Sequence, residues 1–283
     1  MQKLEIYQSL WGMELRSPVG PERSVEENFR MAAAAGFDGM CIDVGDDEIE
    51  AFRRIESCYE RYQLGCMVNA FPSKVDNLQP ILELARDLDA CTVNVIGGVM
   101  PMTVSAAVPV IDRWMDDGTK ANMPLLFETH RDSILNDLYF SLQLIDLIPQ
   151  MRLCADLSHF VVDREFRAPL SDRDQAYVNR ILERSDCFQG RIASREQIQV
   201  QIDFRQHLEW VEIFQRWWKD GMRIWRQRNA GDATLVFLCE LGPPPYAITD
   251  GEGLELSDRW QEAQQIKAWV ETLWTELIAE EQL

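Results

Sequence analysis

Histidine is scarce in this chain: its 283 residues include three, His130, His159 and His207. A cluster of several histidine-bound metals is thereby excluded. Positive charge is short as well, with 28 Lys and Arg against 47 Asp and Glu, a net charge of −19. So acidic a surface repels phosphate backbones and anionic bilayers, and neither nucleic acid nor membrane is an expected partner. No apolar stretch approaches the roughly 20 residues that span a bilayer. The opening MQKLEIYQSLWGM has no basic segment followed by an apolar one, so a cytoplasmic protein is expected. The seven cysteines are odd in number, form no CxxC and mostly sit inside apolar runs. They read as small buried hydrophobes in a reducing compartment rather than a disulfide framework or a catalytic thiol. No Gly-rich phosphate loop follows the first strand-like run, which weighs against a doubly wound open sheet.

What is present is alternation. Strand-like runs fall at 4–10, 39–44, 64–70, 91–96, 124–129, 152–157, 188–194 and 235–241. Runs such as LLFE and LVFLCE are apolar throughout, as strands buried on both faces are. Between them the period is helical: Leu78, Ile81, Leu82, Ala85 and Leu88 form one helix face. Ser24 and Glu27 form a capping box ahead of an Ala-rich helix that Gly36 ends. Eight β-then-α units over this length predict a (β/α)₈ TIM barrel, one domain over residues 1–283. The hydrophobic share of 46% is ample for one large core.

Catalytic groups in such barrels project from the C-terminal ends of the strands. Three runs end there in an acid: LLFE in Glu128, LCAD in Asp156 and LVFLCE in Glu240. A carboxylate in a buried strand is costly unless paired, hydrogen-bonded or metal-bound. An ordinary ion pair explains one such acid more easily than three at matching positions. Carboxylates meeting at one barrel mouth repel, and a divalent cation relieves that repulsion, with all-oxygen shells favouring Mg²⁺ or Mn²⁺. Alternation puts Leu126, Glu128 and His130 on one strand face, and Arg191, Ala193 and Arg195 on one face of another.

The chain resembles the xylose isomerase-like barrel family, which holds sugar isomerases and epimerases, related lyases and an apurinic-site endonuclease branch. The likeness is carried by Ala35-Gly36-Phe37-Asp38-Gly39, Glu128-Thr129-His130-Arg131, Asp156-Leu157-Ser158-His159 and the run from Glu240 through Leu241, Gly242, Pro243, Pro244 and Pro245 to Tyr246. The resemblance implies a divalent metal (Mn²⁺, Mg²⁺, Co²⁺ or Zn²⁺) held by Glu128, Asp156, Glu240 and a histidine of the seventh strand. It implies that Glu128 and Glu240 also move a proton next to a ketose carbonyl, and that His159 and Arg195 contact substrate. His130 and Trp11, the latter able to stack on a sugar face, join the expected substrate-binding set. The chain departs from the pattern where the seventh-strand histidine should stand, because that position is Ala193. The expected function is therefore an isomerase or epimerase of a small polyhydroxy carbonyl compound with an altered metal site, its metal weakly held or absent. An inactive barrel that binds a polar metabolite, and a lyase or dehydratase with the same base, remain open alternatives. The endonuclease branch is excluded by the shortage of histidine and by the charge. Trp217, Trp218 and Trp225 follow helical spacing and read as core or as a subunit interface, so a homodimer is an expected assembly. His207, near a helix start, reads as a surface residue.

Overall fold

A computed structural model describes residues 1–15 and 21–281. Eight parallel strands close on themselves in sequence order. They are β1 Lys3–Ser9, β2 Gly39–Gly45, β3 Gly65–Phe71, β4 Ala90–Val95, β5 Leu125–Glu128, β6 Leu153–Ala155, β7 Ser185–Gln189 and β8 Thr234–Cys239. The helices outside them are α1 Val25–Ala34, α2 Ile49–Arg53, α3 Glu56–Tyr62, α4 Leu78–Asp87, α5 Val104–Ala121, α6 Leu138–Leu147, α7 Leu157–Asp163, α8 Asp172–Leu182, α9 Leu208–Arg228 and α10 Arg259–Glu280. The fold is the (β/α)₈ barrel that the alternation predicts. No helix among the described residues is long and apolar enough to cross a membrane.

Local chemistry explains the element ends. The Ser24 hydroxyl accepts from the Glu27 amide at 3.2 Å and opens α1. Gly36, at φ +72°, takes the left-handed conformation that turns the chain towards β2. The seventh strand departs from expectation, running over 185–189 rather than 188–194. Its first two residues, Ser185 and Asp186, are polar, so the apolar run misplaced it. Ile192 and Ala193 lie past the ladder, fully buried between barrel and helices. A loop bond from the Val200 amide to the Ile192 carbonyl (2.9 Å) holds that segment. Strand alternation therefore carries through Arg191 and stops before Ala193 and Arg195.

The core has two parts. The outer one packs helices on the barrel, and α9 buries Trp210, Phe214, Trp217, Trp218 and Trp225 in it. Each such side chain contributes roughly 1.5–3 kcal/mol by leaving water. Because these indoles are covered by the chain itself, they no longer argue for a dimer. His207 is also buried, with Nδ1 2.9 Å from the Gln201 carbonyl, which corrects its reading as a surface residue. The inner part is a plug inside the barrel: Tyr7, Cys41, Met67, Leu126, Cys154, Cys187, Val236 and Leu238. Tyr7 lies so close over Gly65 that a Cβ there would meet its hydroxyl at 2.1 Å, which requires glycine. Cysteines fill the plug as small hydrophobes, whereas Cys91 is exposed.

Candidate active site

Side chains alternate along a strand, so the residue two positions past each plug residue also points inward, one layer nearer the C-terminal mouth. Applied here, Cys41 leads to Asp43, Met67 to Asn69, Leu126 to Glu128, Cys154 to Asp156, Cys187 to Gln189, and Leu238 to Glu240. Every one of these is polar. An apolar floor thus carries a polar layer, and the step between them is one strand period.

Above that layer is a cavity of about 360 Å³ lined by Trp11, Asp43, Asn69, Glu128, His130, Arg191, Glu240 and Tyr246, among others. That volume lies at the lower end of the ~300–1,000 Å³ typical of small-molecule pockets. Trp11 stands edge-on to Tyr246, ring centroids 5.2 Å apart, and forms one wall. Gly242 makes this possible, since a Cβ there would fall 2.2 Å from the Trp11 ring.

Glu128, Asp156 and Glu240 converge. One oxygen from each lies within 4.8 Å of the others, close enough to share a single ion. Their supports differ. Glu128 accepts from the amides of Asn94 and of Gln189 (2.7 Å). Asp156 accepts from the Ser158 amide at 2.9 Å and from its hydroxyl. Glu240 receives a long bond from Asn69 Nδ2 at 3.4 Å. Between Asp156 and Glu240 lies Arg191, 2% exposed. Its terminal nitrogens are 3.1 Å from Asp156 Oδ2 and 3.0 Å from Glu240 Oε2. Its Nε donates to the Glu240 carbonyl at 3.0 Å. Its guanidinium faces the Tyr246 ring at 4.9 Å.

Burial acts on all these groups. It raises Glu128 well above the ordinary carboxylate range, with the charges of Glu240 and Asp156 adding to the rise and Asn94 and Arg191 opposing it. Burial also pushes Glu240 up to about 8, against the pull of Arg191. Asp156 rises for the same reason, opposed by Arg191 and Ser158. Burial works against the charge of Arg191, yet Asp156 and Glu240 outweigh it and the guanidinium stays protonated. His130 is pushed down to about 4 by burial and by Arg191. His159 is likewise held well below its ordinary value, first through burial and then by His130 and Arg191. Both imidazoles are neutral and lie 4.0 Å apart, centroid to centroid. His159 Nδ1 accepts from the Arg131 amide at 3.4 Å, and its Nε2 lies 3.4 Å from both Asp156 Oδ2 and Arg191 Nη1.

The expected site residues therefore separate into three places. Glu128, Glu240, His130 and Trp11 line the cavity. Asp156 and His159 are wholly buried behind it. Arg195 lies elsewhere, paired with Glu165 (2.5 Å) beside Arg164, Arg167 and Arg173 around a separate cavity. Sequence reasoning passed over Asp43, Asn69, Asn94, Gln189 and the central role of Arg191. A usable signal existed for Asp43 and Asn69, each a polar residue inside an otherwise apolar strand.

The implied divalent ion can be tested against these groups. Three carboxylates are a suitable donor set for a hard cation. Around these three the surroundings do not fit one, whereas Glu128 also brings an oxygen within 4.8 Å of ring nitrogens of His130 and His159, a second group able to share an ion. Ala193, where a fourth ligand is expected, is sealed in the apolar core. Two of the three carboxylates already hold a buried guanidinium between them. Asp156 Oδ2, which has no hydrogen bond of good geometry, meets that guanidinium in charge contact.

Solved structures share the fold. The D-allulose 3-epimerase of Methylomonas sp., in complex with D-allulose, superposes with a TM-score of 0.64 at 14% identity, covering 95% of this chain and 97% of that one. An L-ribulose 3-epimerase gives 0.60 at 15% identity over 98% and 96%. A xylose isomerase-like TIM barrel protein from Mycobacterium smegmatis, in complex with magnesium, gives 0.56 at 14% identity over 94% and 97%. No family model and no curated protein matches the sequence. The chain thus has the xylose isomerase-like barrel fold, as its motifs suggest, and the likeness at these identities is one of fold.

Proposed function

We propose that this chain is an isomerase- or epimerase-like enzyme for a small polyhydroxy carbonyl compound, with Glu128 and Glu240 as its proton-transfer pair. The observation that carries this reading is two carboxyl groups, one ending β5 and one just past β8, meeting at one cavity with their environments made different. Glu128 is held by neutral amides, while Glu240 is held by a guanidinium. Paired titratable groups in unlike surroundings divide acid and base roles. Glu240, ion-paired, is the base that removes the proton next to the carbonyl. Glu128, with no cation of its own, is the acid that returns a proton to the opposite face. Negative charge developing on the carbonyl oxygen is stabilised by the fixed positive charge of Arg191 in a site that excludes bulk water. Trp11 and Tyr246 wall the pocket and pack on the apolar face of a ring or chain. His159 positions Asp156, and Asp156 positions Arg191. D-Allulose, bound in the Methylomonas epimerase, and L-ribulose, named for another structural neighbour, are the first substrates to try.

The test is deuterium exchange at the carbon next to the carbonyl, followed by NMR, across a panel of ketoses and hydroxyketones. Exchange is expected with at least one member. Glu128→Gln and Glu240→Gln are each expected to lower the rate about 10²–10⁴-fold with circular dichroism unchanged. Full exchange in either variant overturns the acid and base roles. Saturable binding with no exchange anywhere in the panel replaces the enzyme by a metabolite-binding barrel.

A further inference from the structure

We propose that Arg191 is the resident cation of the three carboxylates Glu128, Asp156 and Glu240 and fills the position of a divalent ion among them, so that this carboxylate site is closed to metal. The inference rests on the same cavity as the proposed enzyme. Its basis is the arrangement of charge rather than any feature of turnover. Three convergent carboxylates would need a cation, and the segment just past β7 supplies one: Gln189, the last residue of the strand, occupies the polar layer, and Arg191 follows two residues on. The guanidinium bridges Asp156 and Glu240 at 3.1 and 3.0 Å and anchors its Nε on the Glu240 backbone. Trp11 and Tyr246 cover it, with ring centroids 5.8 and 4.9 Å from its central carbon. A cation so held, 2% exposed, is a fixed part of the structure rather than a counter-charge that an entering ion displaces.

Two features of one segment act together. Ala193 offers no donor, and Arg191, two residues before it, brings a positive charge to the carboxylate oxygens. An ion entering beside Arg191 would meet its repulsion at a few ångströms, in surroundings of low dielectric. Charge stabilisation in this protein is therefore covalently built in, and its substrates are those that need one fixed positive charge near an oxygen rather than two-point chelation.

The experiment uses the full chain after chelator treatment, with Mn²⁺ alone as probe, read by thermal shift and by electron paramagnetic resonance of the free ion. Wild type is expected to show no saturable Mn²⁺ binding. Arg191→Met keeps the stem and removes the charge; it is expected to bind Mn²⁺ roughly 100-fold tighter or more, with a rise in Tm. Stoichiometric Mn²⁺ binding by wild type overturns the proposal. So does a folded Arg191→Met that takes up none. Should Arg191→Met not fold, Arg191→Lys retains the charge, and wild type and Arg191→Lys decide together: both inert supports the proposal, binding by wild type overturns it. These readouts need no substrate. A metal-inert wild type with no exchange activity removes the enzyme reading and leaves this one standing, whereas exchange abolished by chelator and restored by Mn²⁺ removes this one alone.

Discussion

The barrel has a cavity at each end, and the larger one is chemically the quieter. At the N-terminal mouth about 620 Å³ is lined by Glu5, Cys91, Thr92, Leu126, Arg152, Asp186 and Val236. At the C-terminal mouth the volume is about 360 Å³. Both ends hold bridged charges: Arg191 lies between two acids at the C-terminal mouth, and Asp186 lies between two arginines at the N-terminal one. Arg152 meets Asp186 through two bonds, 2.6 and 3.2 Å, and Arg228 joins the same carboxylate. Those groups are about a quarter exposed, 23% for Arg152 and 27% for Asp186. Arg191 and its partners are at most 6% exposed. Water screens the first pair and is excluded from the second, so similar geometry has different weight. Burial displaces the carboxyl groups of Glu128 and Glu240 in the upper cavity upward from their ordinary range. Desolvated charge, rather than cavity size, distinguishes the end of the barrel at which we propose the active site.

That contrast can be broken most forcefully at Arg191. Removing one partner of a buried ion pair leaves charge uncompensated and costs about 3–5 kcal/mol. Arg191→Ala in the presence of chelator is expected to lose that much by urea unfolding, and a loss below about 1 kcal/mol would mean that the guanidinium is not what balances Asp156 and Glu240.

A smaller effect comes from Glu262, a carboxyl group remote from either mouth. It accepts from the Ile202 amide at 3.0 Å, and burial pushes it up to about 7. The folded chain holds this proton more tightly than the unfolded chain, whose ordinary value is 4.5. Its contribution is fully present below about pH 4.5 and is lost as pH rises through 7. Glu262→Gln, which keeps an acceptor without the charge, is expected to flatten the fall in stability between pH 5 and 8 by at most about 3 kcal/mol. Parallel pH profiles of wild type and variant would remove Glu262 from the account.

The smallest effect belongs to the screened end. Arg152→Ala is expected to change stability by about 1 kcal/mol or less. A loss as large as that of Arg191→Ala would erase the distinction between the two mouths.

Much of this architecture was legible before any coordinates. Apolar runs fall near all eight strands, the three acids end β5, β6 and β8, and Ser24 and Gly36 bound α1 where their chemistry requires. The seventh strand was misplaced because its polar start breaks the apolar run, and that error hid Arg191 by grouping it with Ala193 and Arg195. Alternation is a property of a hydrogen-bonded ladder, and this ladder ends at Gln189.

What the sequence determined by itself was local: periodicity, caps, turns, and which residue type follows each apolar run. Such patterns depend on neighbours within a few positions, and they sufficed for a barrel with acids at its mouth. Tertiary structure alone decided which cation those acids meet. Arg191 reaches Asp156, 35 residues before it, and Glu240, 49 residues after it, because closure of the barrel brings β6, β7 and β8 side by side. No local pattern distinguishes that buried arginine from Arg195, four residues on and facing Glu165 in solvent. Burial is set by everything that packs around a group, and burial is what turned one of two neighbouring arginines into the charge at the centre of the site.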